Sequence, residues 1–147
     1  MRVYIDTAVV GGCFDDEFSE ESRALFDMAR QGKIRLMISN ILVDELSLAA
    51  GRIQKVVAEL PQHSFEIVQE NEASRRLRDN YLEAGVVGIS HANDAHHVAI
   101  ATVSGADMIV SWNFKHIVHF EKIRQFNRVN LEAGYGAIEI FSPLEVI

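Results

Sequence analysis

Apolar positions along the chain recur in two ways. Val3-Tyr4-Ile5 and Met108-Ile109-Val110 are short continuous runs, and Ile34 to Ile38 is a run broken only by Arg35; all stop at polar or turn residues, as buried strands do. Between them lie longer segments with helical spacing. The plainest is in Ser90 to Phe120, where Val98, Ala99, Ile100, Ala101 and Val103 are apolar almost all round and predict a buried helix. Ser90 can cap its start, Gly105 ends it as a C′ glycine would, and Met108 to Val110 then continue as a strand covered on both faces. Helix, tight turn and buried strand make half of a βαβ unit, and the rest of the chain is expected to be arranged around it.

In chain order, Val3 to Ile5 form the first strand, which stops at Asp6-Thr7. A loop containing Gly11, Gly12, Asp15, Asp16 and Glu17 leads to Ser19, the expected N-cap of a helix with Glu20 and Glu21 in its first turn. Leu25, Phe26, Met28 and Ala29 are its inner residues and Gly32 closes it. Ile34 to Ile38 are the second strand, and Ser39 or Asn40 caps a helix reaching about Ala50. Arg52 to Leu60 reads as a further helix with Val56, Val57 and Leu60 apolar and Pro61 beyond its end. Phe65, Ile67 and Val68 suggest a strand, and Glu72 to Ala84 a helix stopped by Gly85. After Phe120 come a helix and a turn. Ile138, Ile140 and Phe141 then read as a final edge strand that Pro143 prevents from continuing. The alternation predicts a single α/β domain over residues 1–147, with a mostly parallel central sheet flanked by helices.

Composition narrows the setting. A chain of 147 residues, 48% hydrophobic and 24% charged, is one globular domain large enough to bury a real core. No apolar run approaches the roughly 20 residues that span a bilayer, and MRVYIDT is not a signal peptide, so no membrane association and a cytoplasmic location are expected. The single cysteine, Cys13, excludes an internal disulfide and reads as a packed or surface thiol. A net charge of −7 argues against broad non-specific binding to nucleic acid. It leaves room for a local basic patch: Arg75, Arg76 and Arg78 could meet a nucleic-acid backbone, or simply form a solvated helix face.

In parallel sheets ligands bind outside the carboxyl ends of the strands. Asp6, Asp94 in the first turn of the central helix, and Asn113 just past the strand that follows all fall there. Asp94 and Asn113 also have plainer roles: helix dipoles favour a first-turn Asp, and Asn is a common turn residue. Glu45 is more pointed. Steps of about 100° per residue set it between Ile41 and Leu48 on one side and Leu42 and Ala49 on the other, in mid-stripe, with Asp44 at the margin. An acid buried there is paired with an Arg, neutralised, or bound to a metal. Gathered in one pocket, Asp6, Glu45 and Asp94 would repel and raise one another's pKa unless a divalent cation neutralised them. Oxygen donors of this kind suit Mg²⁺ or Mn²⁺.

Other polar residues have weaker claims. His91, His96 and His97 lack the spacing for one helical face, which argues against a zinc site made by those three. His97, one turn after Asp94, can orient it or be a packed histidine. Thr7 and Ser111 can hydrogen-bond ligands or waters. Lys115 and His116 can contact a phosphate or lie in a solvated turn, and Trp112 belongs to the core.

The segments YIDTAV around Asp6, SNILVDELSLA around Glu45 and NDAHHVAIATVSGADMIVSWNF around Asp94, ending in Ser-x-Asn at Asn113, resemble the PIN-domain ribonucleases. Within that family the order and spacing are similar to the VapC-like toxins of bacterial and archaeal toxin–antitoxin pairs. The resemblance covers essentially the whole chain. It implies a Mg²⁺- or Mn²⁺-dependent endonuclease that cuts single-stranded or structured RNA, with Asp6, Glu45 and Asp94 as acidic ligands. At the fourth position, often Asp in the family, stands Asn113, a neutral oxygen ligand. It also implies a homodimer that meets a small antitoxin protein, for which Val56, Val57 and Leu60 offer apolar surface. Two other functions compete. A phosphatase of the haloacid-dehalogenase type also starts with a strand ending in Asp, but needs a second acid where this chain has Ala8. A PIN-like domain without catalysis, acting as a nucleic-acid or protein binding module, would be compatible with the charge lost at Asn113.

Overall fold

Five short strands carry the architecture of the computed structural model, which describes residues 1–147. They are β1 (Arg2–Ile5), β2 (Arg35–Ser39), β3 (Phe65–Val68), β4 (Met108–Val110) and β5 (Glu139–Phe141), in the order β3-β2-β1-β4-β5 with every pairing parallel. The chain winds outward from β1 through β2 to β3, then crosses back to lay β4 on the other side of β1. The direction of winding therefore reverses between β1 and β4, and the crevice at their carboxyl ends is where such sheets bind ligands. Pairing of Ile5 with Val110 sets the register that brings the next residues, Asp6 and Ser111, side by side.

Helices cover both faces because the strand side chains on both faces are apolar. Val3, Ile5, Leu36, Ile38 and Val110 point into one half of the core, with α1 (Thr7–Gly12), α2 (Ser19–Arg30), α3 (Asn40–Leu46), α4 (Gly51–Ala58) and the short α8 (Pro143–Val146). Tyr4, Met37, Ile109 and Ile140 point into the other, under α5 (Glu72–Glu83), α6 (Ala92–Val103) and α7 (Phe120–Glu132). α6 is the predicted central helix. Ala95 to Ala101 are all buried, and Gly105 adopts φ +74°, the left-handed geometry its position after the helix end demands. No helix is long and apolar enough to cross a membrane.

Several boundaries differ from those the sequence predicts. Ser90 does not cap α6; it lies in a short 3₁₀ turn, and the helix begins at Ala92 with His91 before it. Residues 7–12 are helical rather than a loop, because the Asp6 carboxylate accepts the Val9 N–H and caps them. Gly12 is required there: a Cβ would fall 2.5 Å from Ser22 Oγ and 2.9 Å from Trp112 Nε1. Ser19 is the first residue of α2 and Phe18 its N-cap. Ser39 caps α3 as expected, but α3 ends at Leu46 instead of near Ala50. The Gln54 side-chain amide donates to the carbonyls of Leu46 and Ala49, both at 3.0 Å, and so satisfies the end of the shortened helix. Leu60 is buried, and Val56 and Val57 pack partly against the same core, so these three do not form a free apolar face.

The arginines of α5 are spoken for. Arg75 pairs with Glu70 at 2.6 Å, Arg76 with Glu72 at 3.0 Å and Arg78 with Asp79 at 3.1 Å, which makes this a solvated, ion-paired face. Cys13 is buried and unpaired. Trp112 is core: its indole N–H donates to Ser22 Oγ at 2.7 Å and its ring stacks on Phe18.

His96 is buried between α5 and α6, with Nε2 3.5 Å from Ser74 Oγ and 3.7 Å from Glu70 Oε2. Burial, followed by the charge of Arg78, lowers its pKa from 6.5 to about 4. The unfolded chain therefore binds more protons than the folded one between those values, and stability falls as pH drops through that window. The slope approaches about 1.4 kcal/mol per pH unit for one group. Melting temperatures from pH 7 to 4 should fall less steeply for His96→Gln than for the wild-type chain; parallel curves would place the acid sensitivity elsewhere.

Candidate functional site

Asp6 leaves the end of β1 almost wholly buried, at 4% exposure. Its Oδ2 accepts a hydrogen bond from Ser111 Oγ at 2.5 Å, and its Oδ1 accepts the Val9 N–H at 3.4 Å. Ser111 Oγ also accepts the Asn113 N–H at 2.9 Å, so one hydroxyl ties the two strand ends together. Burial raises the Asp6 pKa and the nearby Asp94 charge adds to that; His97, Ser111 and the Val9 N–H act against it without cancelling it. Beside it, Thr7 Oγ1 is screened from solvent with no hydrogen-bond partner.

Glu45 is placed differently from its predicted position in mid-stripe. α3 buries Leu42 and Leu46, while Glu45 sits at the rim with a third of its side chain exposed. The reason is the early end of the helix: Leu48, which would have walled it in, is 94% exposed. Nor is its partner an Arg. His97 Nε2 lies 2.6 Å from Glu45 Oε1, and His97 Nδ1 lies 2.7 Å from the Tyr4 hydroxyl, itself 3.0 Å from Ser39 Oγ. Facing an acceptor-only carboxylate, Nε2 carries the proton. Tyr4 then links the ring to Ser39, the residue that caps α3 through the Leu42 N–H. Burial opposes ionisation of Glu45, but the hydrogen bond and charge of His97 outweigh it and hold the carboxyl below its ordinary pKa. Burial pushes the Tyr4 hydroxyl pKa far up, so it stays a phenol. His97 therefore grips Glu45 from across the crevice instead of orienting Asp94 along its own helix.

Asp94 occupies the first turn of α6 and is half-buried, with Oδ2 3.8 Å from His91 Nδ1. Asn113 follows β4 and has a structural role, since its Oδ1 accepts the His116 N–H at 2.9 Å and its carbonyl accepts from Ile117 and Val118. One lone pair of Oδ1 remains for a ligand. Asp6, Glu45, Asp94 and Asn113 nevertheless line one pocket of about 140 Å³ together with Thr7 and His97. Lys115 is exposed and lies outside that lining. A wider depression of about 330 Å³ between α5 and α7 is edged by Asn80, Glu83 and Glu132 and holds no buried ionisable group.

Spacing alone did not reveal two features. Tyr4 and Ser39 read only as strand and cap, although a Tyr alternating with Val3 and Ile5 had to face the other side of the sheet from them. His116 stacks on His91 with ring centroids 3.7 Å apart. Burial and the neighbouring His91 lower the His116 pKa.

The donor set fits a small divalent cation. Three carboxylates line the pocket, Glu45 offers its second oxygen, Thr7 has an unused hydroxyl, and burial raises the pKa of Asp6. Such a pocket can bind a cation and present it to an anionic substrate at the open sheet edge.

A family model described as PIN domain matches residues 2–115. No curated protein matches the chain. In fold the chain is similar to a chain of VapBC2 from Rickettsia felis, crystallised bound to a DNA fragment from its promoter. That likeness has a TM-score of 0.63 and 14% identity, covering 97% of this chain and 98% of that one. It is also similar to a chain of FitAcB from Neisseria gonorrhoeae, with a TM-score of 0.58, 19% identity and the same 97% and 98% coverage.

Tyr4→Phe tests the relay behind Glu45. It leaves His97 Nδ1 and Ser39 Oγ without their shared hydroxyl, which should destabilise the fold by about 1–3 kcal/mol in urea unfolding. An unchanged midpoint would show that neither group depends on it.

Proposed function

Because the chain belongs to the PIN-domain family, we propose that it is a divalent-metal-dependent endoribonuclease, the VapC-like toxin of a toxin–antitoxin pair working in the cytoplasm. The observation that carries this reading is the meeting of Asp6, Glu45 and Asp94 in one pocket at the β1/β4 crevice, beside an unpartnered Thr7 hydroxyl. These acids, with Asn113 Oδ1 as a neutral fourth donor, would hold Mg²⁺ or Mn²⁺. When bound, the cation activates water and stabilises negative charge at the phosphorus under attack.

The chain's own residues supply position. Ser111 fixes Asp6 through Oδ2, and His97 holds Glu45 through Oε1 and leaves Oε2 for the pocket. Asp94 is favoured in the first turn of α6 by the helix dipole. With three negative charges on one side, an RNA backbone is repelled until a cation is present, so metal loading and substrate binding are coupled. For a protein partner, Val43 and Leu48 on and after α3 are 45% and 94% exposed, and they support docking of a small antitoxin or a second copy in a homodimer.

Two substitutions change the pocket charge in opposite directions. Asp94→Asn should remove most of the melting-temperature rise produced by Mn²⁺ and lower RNA cleavage on the order of 100-fold or more. Asn113→Asp should lower stability without metal, through added repulsion, and enlarge the stabilisation by Mn²⁺. If Asp94→Asn leaves metal binding and cleavage of total RNA unchanged, the chain is a binding module without catalysis.

A further inference from the structure

Beside the acidic pocket, and sharing Asp94 with it, one ring nitrogen of His91, one of His116 and one carboxylate oxygen of Asp94 lie within 4.8 Å of one another. The three come from different places: His91 precedes α6, Asp94 is in its first turn, and His116 is in the turn after β4. That turn is fixed, because Asn113 Oδ1 accepts the His116 N–H. The imidazoles are held face to face with 28° between their planes, and His116 Nδ1 is screened from solvent with no hydrogen-bond partner. Nothing else in the fold uses this grouping. His96 and His97, the other histidines of the HANDAHH segment, turn instead to α5 and to Glu45.

We propose that His91, His116 and Asp94 form a second cation site, selective for a borderline transition metal such as Zn²⁺. Two imidazoles and a carboxylate are a usual donor set for Zn²⁺, with water completing a tetrahedron, and they suit Mg²⁺ poorly. Zinc–ligand bonds of about 2.0–2.2 Å place donors roughly 3.3–3.6 Å apart. His91 Nδ1 and Asp94 Oδ2 are 3.8 Å apart, so small rotations of partly exposed side chains close the set. Asp94 also lines the acidic pocket, so a cation held by the histidines fixes the carboxylate that both places share. It adds positive charge beside a pocket whose fourth donor, Asn113, brings no negative one. The site goes beyond the nuclease reading and does not depend on it.

The test titrates the full-length protein with Zn²⁺ by calorimetry and with Co²⁺ by visible absorption, in excess Mg²⁺ to occupy oxygen-only sites. Wild type and Asp6→Asn should each take one equivalent, with a Co²⁺ spectrum of tetrahedral intensity. His91→Ala and His116→Ala should each weaken binding by at least about tenfold, the smallest loss expected even from an outer-sphere partner, and the double variant should lose the spectrum. Zn²⁺ binding that survives in the double variant, or is absent from wild type, overturns the proposal. Should His116→Ala fail to fold, His91→Ala alone decides. Mn²⁺-induced stabilisation of the same proteins reports the acidic pocket separately. Its loss in Asp6→Asn with Zn²⁺ binding intact distinguishes the two sites, whereas Zn²⁺ binding lost with Asp6 would also overturn the proposal.

Discussion

Parallel pairing of β1 with β4 is the constraint from which the site follows. Once Ile5 is abreast of Val110, Asp6 and Ser111 must be neighbours at the carboxyl edge, and their hydrogen bond closes the crevice floor. The same pairing reverses the direction of winding beside β1, so no helix can cover that edge directly. The opening that results is flanked by the starts of α1 and α6 and by Glu45 near the end of α3.

Bringing three acids to such a place is unfavourable, and the surroundings are arranged to reduce the penalty without removing it. No arginine or lysine enters the pocket. One hydroxyl and a helix-capping N–H take up the two oxygens of Asp6, and one histidine takes up a single oxygen of Glu45. An arginine would have neutralised the charge permanently and taken the cation's place. Burial, with a smaller contribution from the Asp94 charge, raises the pKa of Asp6, and a cation beside it would favour the ionised carboxylate.

Histidines do much of the joining across this edge. His97 spans from α6 to α3 and, through Tyr4, reaches the cap of the helix that carries Glu45. His96 seals α5 to α6 in its neutral form. His91 and His116 bridge the approach to α6 and the turn after β4 by stacking. His91, His96 and His97 of one short segment thus serve three separate interfaces. Each face of a helix this deeply buried meets a different element.

The sequence by itself determined the strands, most helices and the positions of Asp6, Asp94 and Asn113, because these depend on short-range periodicity and on where strand runs stop. Apolar runs at Val3–Ile5 and Met108–Val110 can satisfy their burial only inside a covered parallel sheet, and glycines such as Gly105 mark helix ends by their backbone freedom alone. Helix termini held by distant groups were not legible. The Gln54 amide satisfies the end of α3 at Leu46, and the Asp6 carboxylate caps the helix at residues 7–12. Glu45 was found for a reason the tertiary structure replaced. The expected buried mid-stripe position is a rim position in the fold, decided by how far α3 runs and by His97, 52 positions away. Stacking of His91 on His116 likewise joins residues whose nearness exists only after β4 has paired with β1. Local chemistry fixes what each segment becomes, and only packing at long sequence separation decides which side chains face one another.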